Sequence, residues 1–157
     1  MSKINKILAP TDLSELSCIG LRYALETARE QHAEVIVCLT VPIGEDWFPS
    51  SEGSNPERDY TAKDKVKLDE FLRSHFSDEM KLVEVRQKVD VGAAAAAIVE
   101  AAGRERVDMI IMSTHGRTGL SHILIGSVTE KVVERAPCPV LVVPRQHAGA
   151  PAKTVQA

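Results

Sequence analysis

Five short apolar runs, separated by segments with helical spacing, constrain this chain more than any other feature. They cover residues 4–10 (INKILAP), 33–41 (AEVIVCLTV), 83–91 (VEVRQKVDV), 107–113 (VDMIIMS) and 139–144 (PVLVVP). The second, fourth and fifth are continuous and rich in β-branched residues. Such runs suit strands covered on both faces, as in a parallel sheet. The third alternates apolar and polar residues, so it should be half exposed. Between the runs, periodicity predicts helices over 14–30, 62–76, 92–102 and 127–135. The first places Leu21, Ala24, Leu25 and Ala28 on one face, and the second Val66, Phe71, Leu72 and Phe76. The third is alanine-rich, with Ile98 and Val99 inward and Gly103 placed to end it. The fourth carries Val128, Val132 and Val133. Strand and helix alternation of this kind predicts an α/β fold with helices on both faces of a parallel sheet.

The chain has 157 residues, a length that suggests one domain and buries roughly 68–70% of the unfolded surface. Net charge is -3 with the signs dispersed, and no basic patch with interleaved aromatics argues for a nucleic-acid partner. No apolar run reaches the ~20 residues that span a bilayer. The apolar core near the N-terminus is too short for a signal peptide, so the expected location is cytoplasmic. The 3 cysteines are far apart and form no CxxC pair, which reads as small buried hydrophobes. His32, His75, His115, His122 and His147 are scattered without metal-ligand spacing.

Two segments break the pattern. Residues 42–60 hold three prolines, two glycines and a Trp-Phe pair. That length suits a mobile lid or a protein-binding loop, or equally a surface loop pinned by Trp47. Residues 146–157 are small and polar and read as a disordered tail, leaving a domain over 1–145.

The chemistry concentrates in the turns after the first and fourth strands. No GxxxxGK[ST] and no GxGxxG is present. After the first strand, Asp12 and Glu15 have the spacing of a helix N-cap pair. Thr11 and Asp12 also stand at the strand's carboxyl end, where open α/β sheets bind ligands. After the fourth strand, Gly116 follows STH and lets a phosphate approach bare backbone. Gly126 and Ser127 open a helix whose first N–H groups and dipole favour an anion. The same SVTE stretch, Ser127 to Glu130, is a capping box, worth ~1 kcal/mol without any ligand. His115 and Arg117 stand where they could contact phosphate, or serve only as solvated loop residues.

The stretch STHGRTGLSHILIGSVTEKVVERAPCPVLVVP resembles the C-terminal signature of the universal stress protein family. ILAPTDLSELS and VGAAAAAIVEAA resemble its first turn and the segment before its fourth strand. The resemblance implies a Rossmann-like, single-domain five-stranded parallel sheet of order 3-2-1-4-5. Members divide into ATP binders and non-binders, and the binders resemble one another in G-x2-G-x9-G-[ST]. Here the second glycine falls on Gly116, the spacer is RTGLSHILI and the final pair is Gly126-Ser127. The first glycine falls on Ser113, a departure that matters only if that position needs a left-handed backbone.

Carried over by resemblance, Pro10, Thr11 and Asp12 match the turn near adenosine and ribose, and Val41 the backbone that meets adenine. Met112, Ser113, Thr114, His115, Gly116, Arg117, Thr118 and Gly119 match the phosphate loop, and Ser127, Val128 and Thr129 the helix start that follows Gly126. Asp12 can reach Mg²⁺ through water. The last strand, Pro139, Val140, Leu141, Val142 and Val143, is an apolar edge that invites pairing, and similar proteins dimerise through it. Three functions follow: an ATP-binding regulatory homodimer, a dimeric interaction module without nucleotide, or a slow ATP hydrolase. Only Asp12, His115 and Arg117 offer themselves for phosphoryl transfer, so efficient catalysis is not expected.

Overall fold

A computed structural model describes residues 3–43, 56–114 and 125–145, with backbone alone over 56–60. Five strands form one parallel sheet: β1 (Lys6–Thr11), β2 (Glu34–Val41), β3 (Val85–Val91), β4 (Met109–Ser113) and β5 (Val140–Val143). Their order is β3-β2-β1-β4-β5, as the resemblance implied. Helices α1 (Ser17–Gln31), α2 (Pro56–Phe76), α3 (Ala94–Glu105) and α4 (Ser127–Arg135) cover the two faces.

The strand period of two sorts the core into two layers. Ile7, Ala9, Val35, Val37, Leu39 and Ile111 face α1 and α2, where they meet Leu21, Leu25, Leu68, Leu72 and Phe76. Leu8, Ile36, Cys38, Ile110 and Met112 face the other way, onto Ala95, Ile98, Ala102 and Val132 of α3 and α4. Most of these residues are fully buried, and each buried Val, Leu, Ile or Phe contributes about 1.5–3 kcal/mol against exposure. β3 is half-buried along its length, as its alternation indicated.

Several local expectations change. α2 starts at Pro56, a good first helical residue, so it takes the last five residues of the irregular segment 42–60. Its inward stripe is Leu68, Leu72 and Phe76, while Val66 is 57% exposed. Gly103 lies inside α3, which runs on until Arg106 adopts the left-handed region and closes it. Neither expected capping box forms. α1 starts after Leu16, and Glu15 turns toward His75 instead. Gly126 is the N-cap of α4, which puts Ser127 inside the first turn rather than at the cap. Residues 44–55 (including Trp47), the loop over 115–124 and the tail after 145 lie outside the described residues.

The chain proceeds from β1 outward to β3, then crosses back to β4 on the other side of β1. The switch point therefore falls between β1 and β4, and the carboxyl ends of those strands flank one crevice. Gly20 of α1 sets how closely the helix approaches it. A Cβ there would lie 2.6 Å from Ser113 N and 2.9 Å from Met112 C. Both neighbours are backbone, so only glycine lets α1 lie this close to the end of β4.

Candidate functional site

A cavity of about 260 Å³ opens at the switch point. Pro10, Thr11, Asp12 and Ser17 line it from the end of β1 and the start of α1. Met112, Ser113, Gly126, Ser127, Val128 and Thr129 line it from the β4 side. The structure thus brings together ten residues from turns about one hundred positions apart in sequence.

On the β1 side, hydroxyls fix the turn. Thr11 Oγ1 accepts from Leu13 N at 3.0 Å and pairs with Ser17 Oγ at 2.8 Å. Ser17 Oγ in turn donates to Ser14 O at 2.7 Å, so Thr11 must be the donor in its pair with Ser17. Asp12 Oδ1 accepts from Ser14 N at 3.0 Å and from the Ser14 hydroxyl. This Asx turn lets Leu13 take a positive φ of 64°.

On the β4 side, backbone hydrogen bonds fix Thr114 and Gly126. Gly126 N donates to Thr114 O at 2.7 Å, and Thr114 N donates to Val143 O at 3.2 Å. The buried Thr129 hydroxyl donates to Ser113 O at 3.1 Å, with Thr114 O at 3.4 Å. Thr129 therefore frames the site with its hydroxyl rather than offering it to a ligand. Ser113 closes β4 opposite Val143 and is not among the positive-φ residues. The position that matches the first glycine of the family motif thus has no left-handed backbone here, and serine fits it. Gly126 has φ -72° and ψ 157°, open to any residue, so its use at this place is the space it leaves above the start of α4. His115, Gly116, Arg117, Thr118 and Gly119 lie outside the described residues.

Residues 36, 38 and 40 share the face of β2 turned to α3. The cavity's floor is accordingly the apolar Cys38, Ala94 and Ile98 together with Thr40, none of which motif spacing had flagged. The alternation of β2 could have found them. Val41 follows Thr40 at the end of β2. Its side chain packs in the opposite layer and its carbonyl accepts from Gly92 N at 2.9 Å. A strand residue's N–H and C=O point to the same side, so Val41 serves the β2–β3 ladder and Thr40 turns its backbone toward β1 and the crevice. Gly92 has φ +136°, a value that favours glycine and lets β3 turn into α3.

Burial pushes the Cys38 thiol up to about 12, with Asp90 adding to the shift, so it is a floor group and not a nucleophile. Cys18 is likewise buried, and burial followed by the charge of Glu15 raises it to about 11. Cys138 is only half-buried. The expectation that the histidines stand apart from other ligand types fails at one place. His75 comes from α2 to meet Glu15 and Cys18, with ligand atoms all within 4.8 Å of one another.

At the sheet edge, β5 pairs only with β4 among the described residues. Val140, Leu141 and Val142 are half-buried and Pro139 is exposed, while Val143 is core. Nearby α4 exposes Val128 and Val133.

The fold and the crevice define an open α/β architecture with a cavity at its switch point, and comparison with known proteins gives the family. The universal stress protein family model matches residues 3–144. The chain belongs to the universal stress protein family. It is 34% identical over 155 residues to universal stress protein MJ0577 of Methanocaldococcus jannaschii, covering 90% of this chain and 96% of the relative. The solved structure of MJ0577 superposes with a TM-score of 0.67, covering 92% of this chain and 98% of that one. A universal stress protein solved in complex with cAMP gives a TM-score of 0.68 at 24% identity, over 90% of this chain and 98% of that one. UspA from Lactobacillus plantarum gives 0.71 at 19% identity, over 91% and 99%, a likeness of fold. Among the described residues, no helix is long and apolar enough to cross a membrane.

Proposed function

We propose that this protein binds ATP in the crevice between the β1 turn and the start of α4, and acts as a homodimeric regulator whose nucleotide occupancy changes its shape or partners. The observation that carries this reading is the N-terminus of α4. It faces the cavity through Gly126, Ser127, Val128 and Thr129, and its N-cap brings no side chain. Helix-start N–H groups and the helix dipole then favour a phosphate at that place. The apolar floor of Cys38, Ala94 and Ile98 suits the face of a base, and the Thr40 backbone its edge. Asp12, at the mouth of the cavity, has the chemistry to hold Mg²⁺ through water. The relative solved with cAMP supports an adenine nucleotide as the class of ligand.

Catalysis is not part of this reading. Asp12 spends one oxygen on the Asx turn, and phosphoryl transfer needs a positioned water or base and an added cation. Dimerisation through β5 is supported by its place as an edge strand with half-buried apolar residues. The alternative, an interaction module without nucleotide, would keep the dimer and lose the ligand.

The test is to extract the purified protein and identify what it carries by mass spectrometry, then to titrate the stripped protein with ATP and Mg²⁺. Adenine nucleotide in the extract, and saturable binding on titration, support the reading. An empty extract together with no binding at millimolar ATP overturns it in favour of the interaction module.

A further inference from the structure

Glu15, Cys18 and His75 form the only group of three mixed metal-ligating side chains among the described residues. It lies outside the nucleotide crevice. Glu15 and Cys18 are three residues apart and joined by the hydrogen bond from Cys18 N to Glu15 O at 3.2 Å. The turn closed by this bond leads into α1 and brings both side chains toward His75. His75 arrives from the last turn of α2, with Nε2 3.0 Å from Glu15 Oε1.

We propose that these three side chains bind a thiophilic divalent cation of the zinc type, with solvent completing the coordination. Three features beyond proximity support the assignment. The first is the orientation of His75. Its Nδ1 lies 2.8 Å from the Phe71 carbonyl, which holds the proton on that nitrogen and turns Nε2 toward Glu15 and Cys18. Metal-binding histidines are commonly oriented this way, through the ring nitrogen that does not bind. The second is the donor set. A thiolate, an imidazole and a carboxylate are the three ligand types zinc takes, and together they carry two negative charges against two positive ones. The third is access. Cys18 is 8% exposed, while the Glu15 side chain is 85% and the His75 side chain 27% exposed. The site is therefore floored by sulfur and open on the carboxylate side.

Tetrahedral coordination at about 2.3 Å to sulfur and about 2.0–2.2 Å to nitrogen and oxygen places ligand atoms closer together than 4.8 Å. Rotation of the exposed Glu15 side chain and a small movement of His75 can close that gap without moving the core. Binding replaces the proton on Cys18 Sγ with a metal–sulfur bond, and that proton leaves to solvent. The neighbouring charges do not block the site. Arg22 is held by Glu79 at 2.8 Å and lies over the Phe76 ring at 5.1 Å. Asp12, in the same turn, adds to the negative field at Cys18.

The consequence for the protein is a clamp. The cation would tie α2 to the turn that carries Asp12, Ser14 and Ser17, and Ser17 lines the crevice. The proposal does not depend on nucleotide, and its test uses none. Tag-free full chain, stripped with chelator, is titrated with Co²⁺ while a thiolate-to-cobalt charge-transfer band is followed, and Zn²⁺ is then added to displace it. The expected result is one Co²⁺ per chain, bleaching on Zn²⁺ addition, and at least tenfold weaker binding with loss of the band in Cys18→Ser. His75→Gln, near the exposed end of α2, should also weaken binding at least tenfold, with the circular dichroism spectrum unchanged. Cys138→Ser should keep both band and affinity. No band at millimolar Co²⁺, or a band that survives Cys18→Ser, overturns the proposal. In that event His75 and Glu15 serve only to join α1 and α2.

Discussion

At the edge where the strands begin, charged side chains close the sheet; at the edge where they end, two helices start without side-chain caps. Asp108 Oδ2 accepts from Asn5 N at 2.8 Å and Lys6 N at 2.9 Å. Arg86 joins Glu34 at 2.8 Å to Glu105 at 2.6 Å, and Lys6 Nζ caps the Glu105 carbonyl at 3.1 Å. At the opposite edge, α3 and α4 start on Ala93 and Gly126, neither of which makes a side-chain cap. The first edge uses its charges to satisfy backbone and hold strands in register. The second forgoes caps worth about 1 kcal/mol each and keeps its helix starts open to a ligand. On the proposed function, the difference separates stability from binding within one sheet.

Breaking the carboxyl edge should give the largest effect on binding. Gly126→Leu fills the space above α4 and should weaken ATP binding at least a hundredfold, with little change in melting temperature because the backbone there accepts any residue. A retained affinity would show that the nucleotide lies elsewhere. Gly20→Ala acts on both properties. Its Cβ would press on the Ser113 and Met112 backbone, so overpacking should cost about 1–3 kcal/mol in denaturant unfolding and displace the end of β4 that lines the cavity. An unchanged midpoint would mean that α1 shifts freely.

Asp108→Ala should reverse the pattern. Two backbone N–H groups lose their acceptor, costing roughly 1–3 kcal/mol, while ATP affinity stays the same. Arg86→Met should have the smallest effect, below ~1 kcal/mol and fading in salt, because both its partners are partly solvated. Hydrogen bonding to Arg86 holds Glu105 below its ordinary carboxylate range. The depressed value means that this contribution is present above the unfolded pKa and lost as pH falls through the folded one. Arg86→Met should therefore flatten the acid limb of the stability curve, and an acid limb identical to wild type would contradict it.

The legibility of the sequence follows the same division. The strands and the two turns at the switch point were readable because apolar runs and glycine spacing record them directly, whereas the strand order came from the family resemblance. The floor of the cavity was less so. Thr40, Cys38, Ala94 and Ile98 look like ordinary strand and helix residues, and only the alternation of β2 shows which of Thr40 and Val41 turns to the crevice. Caps were misread because Ser127 stands one position inside the cap of α4 and Asp12 four positions before the cap of α1, although each has an acidic residue at the right spacing. The meeting of His75 with Glu15 and Cys18 could not be seen, since it joins residues about sixty positions apart through helix packing. Ser113 looked like a defect in the family pattern and proved to be an extended strand residue that the backbone accommodates.

The most direct test of the account is a calorimetric titration of the stripped wild-type chain with ATP and Mg²⁺, run beside Gly126→Leu. One saturable site per chain in the wild type, absent in the variant, is the predicted result. No binding by the wild type at millimolar ATP, or equal binding by both, would contradict the claim that the open start of α4 holds the nucleotide.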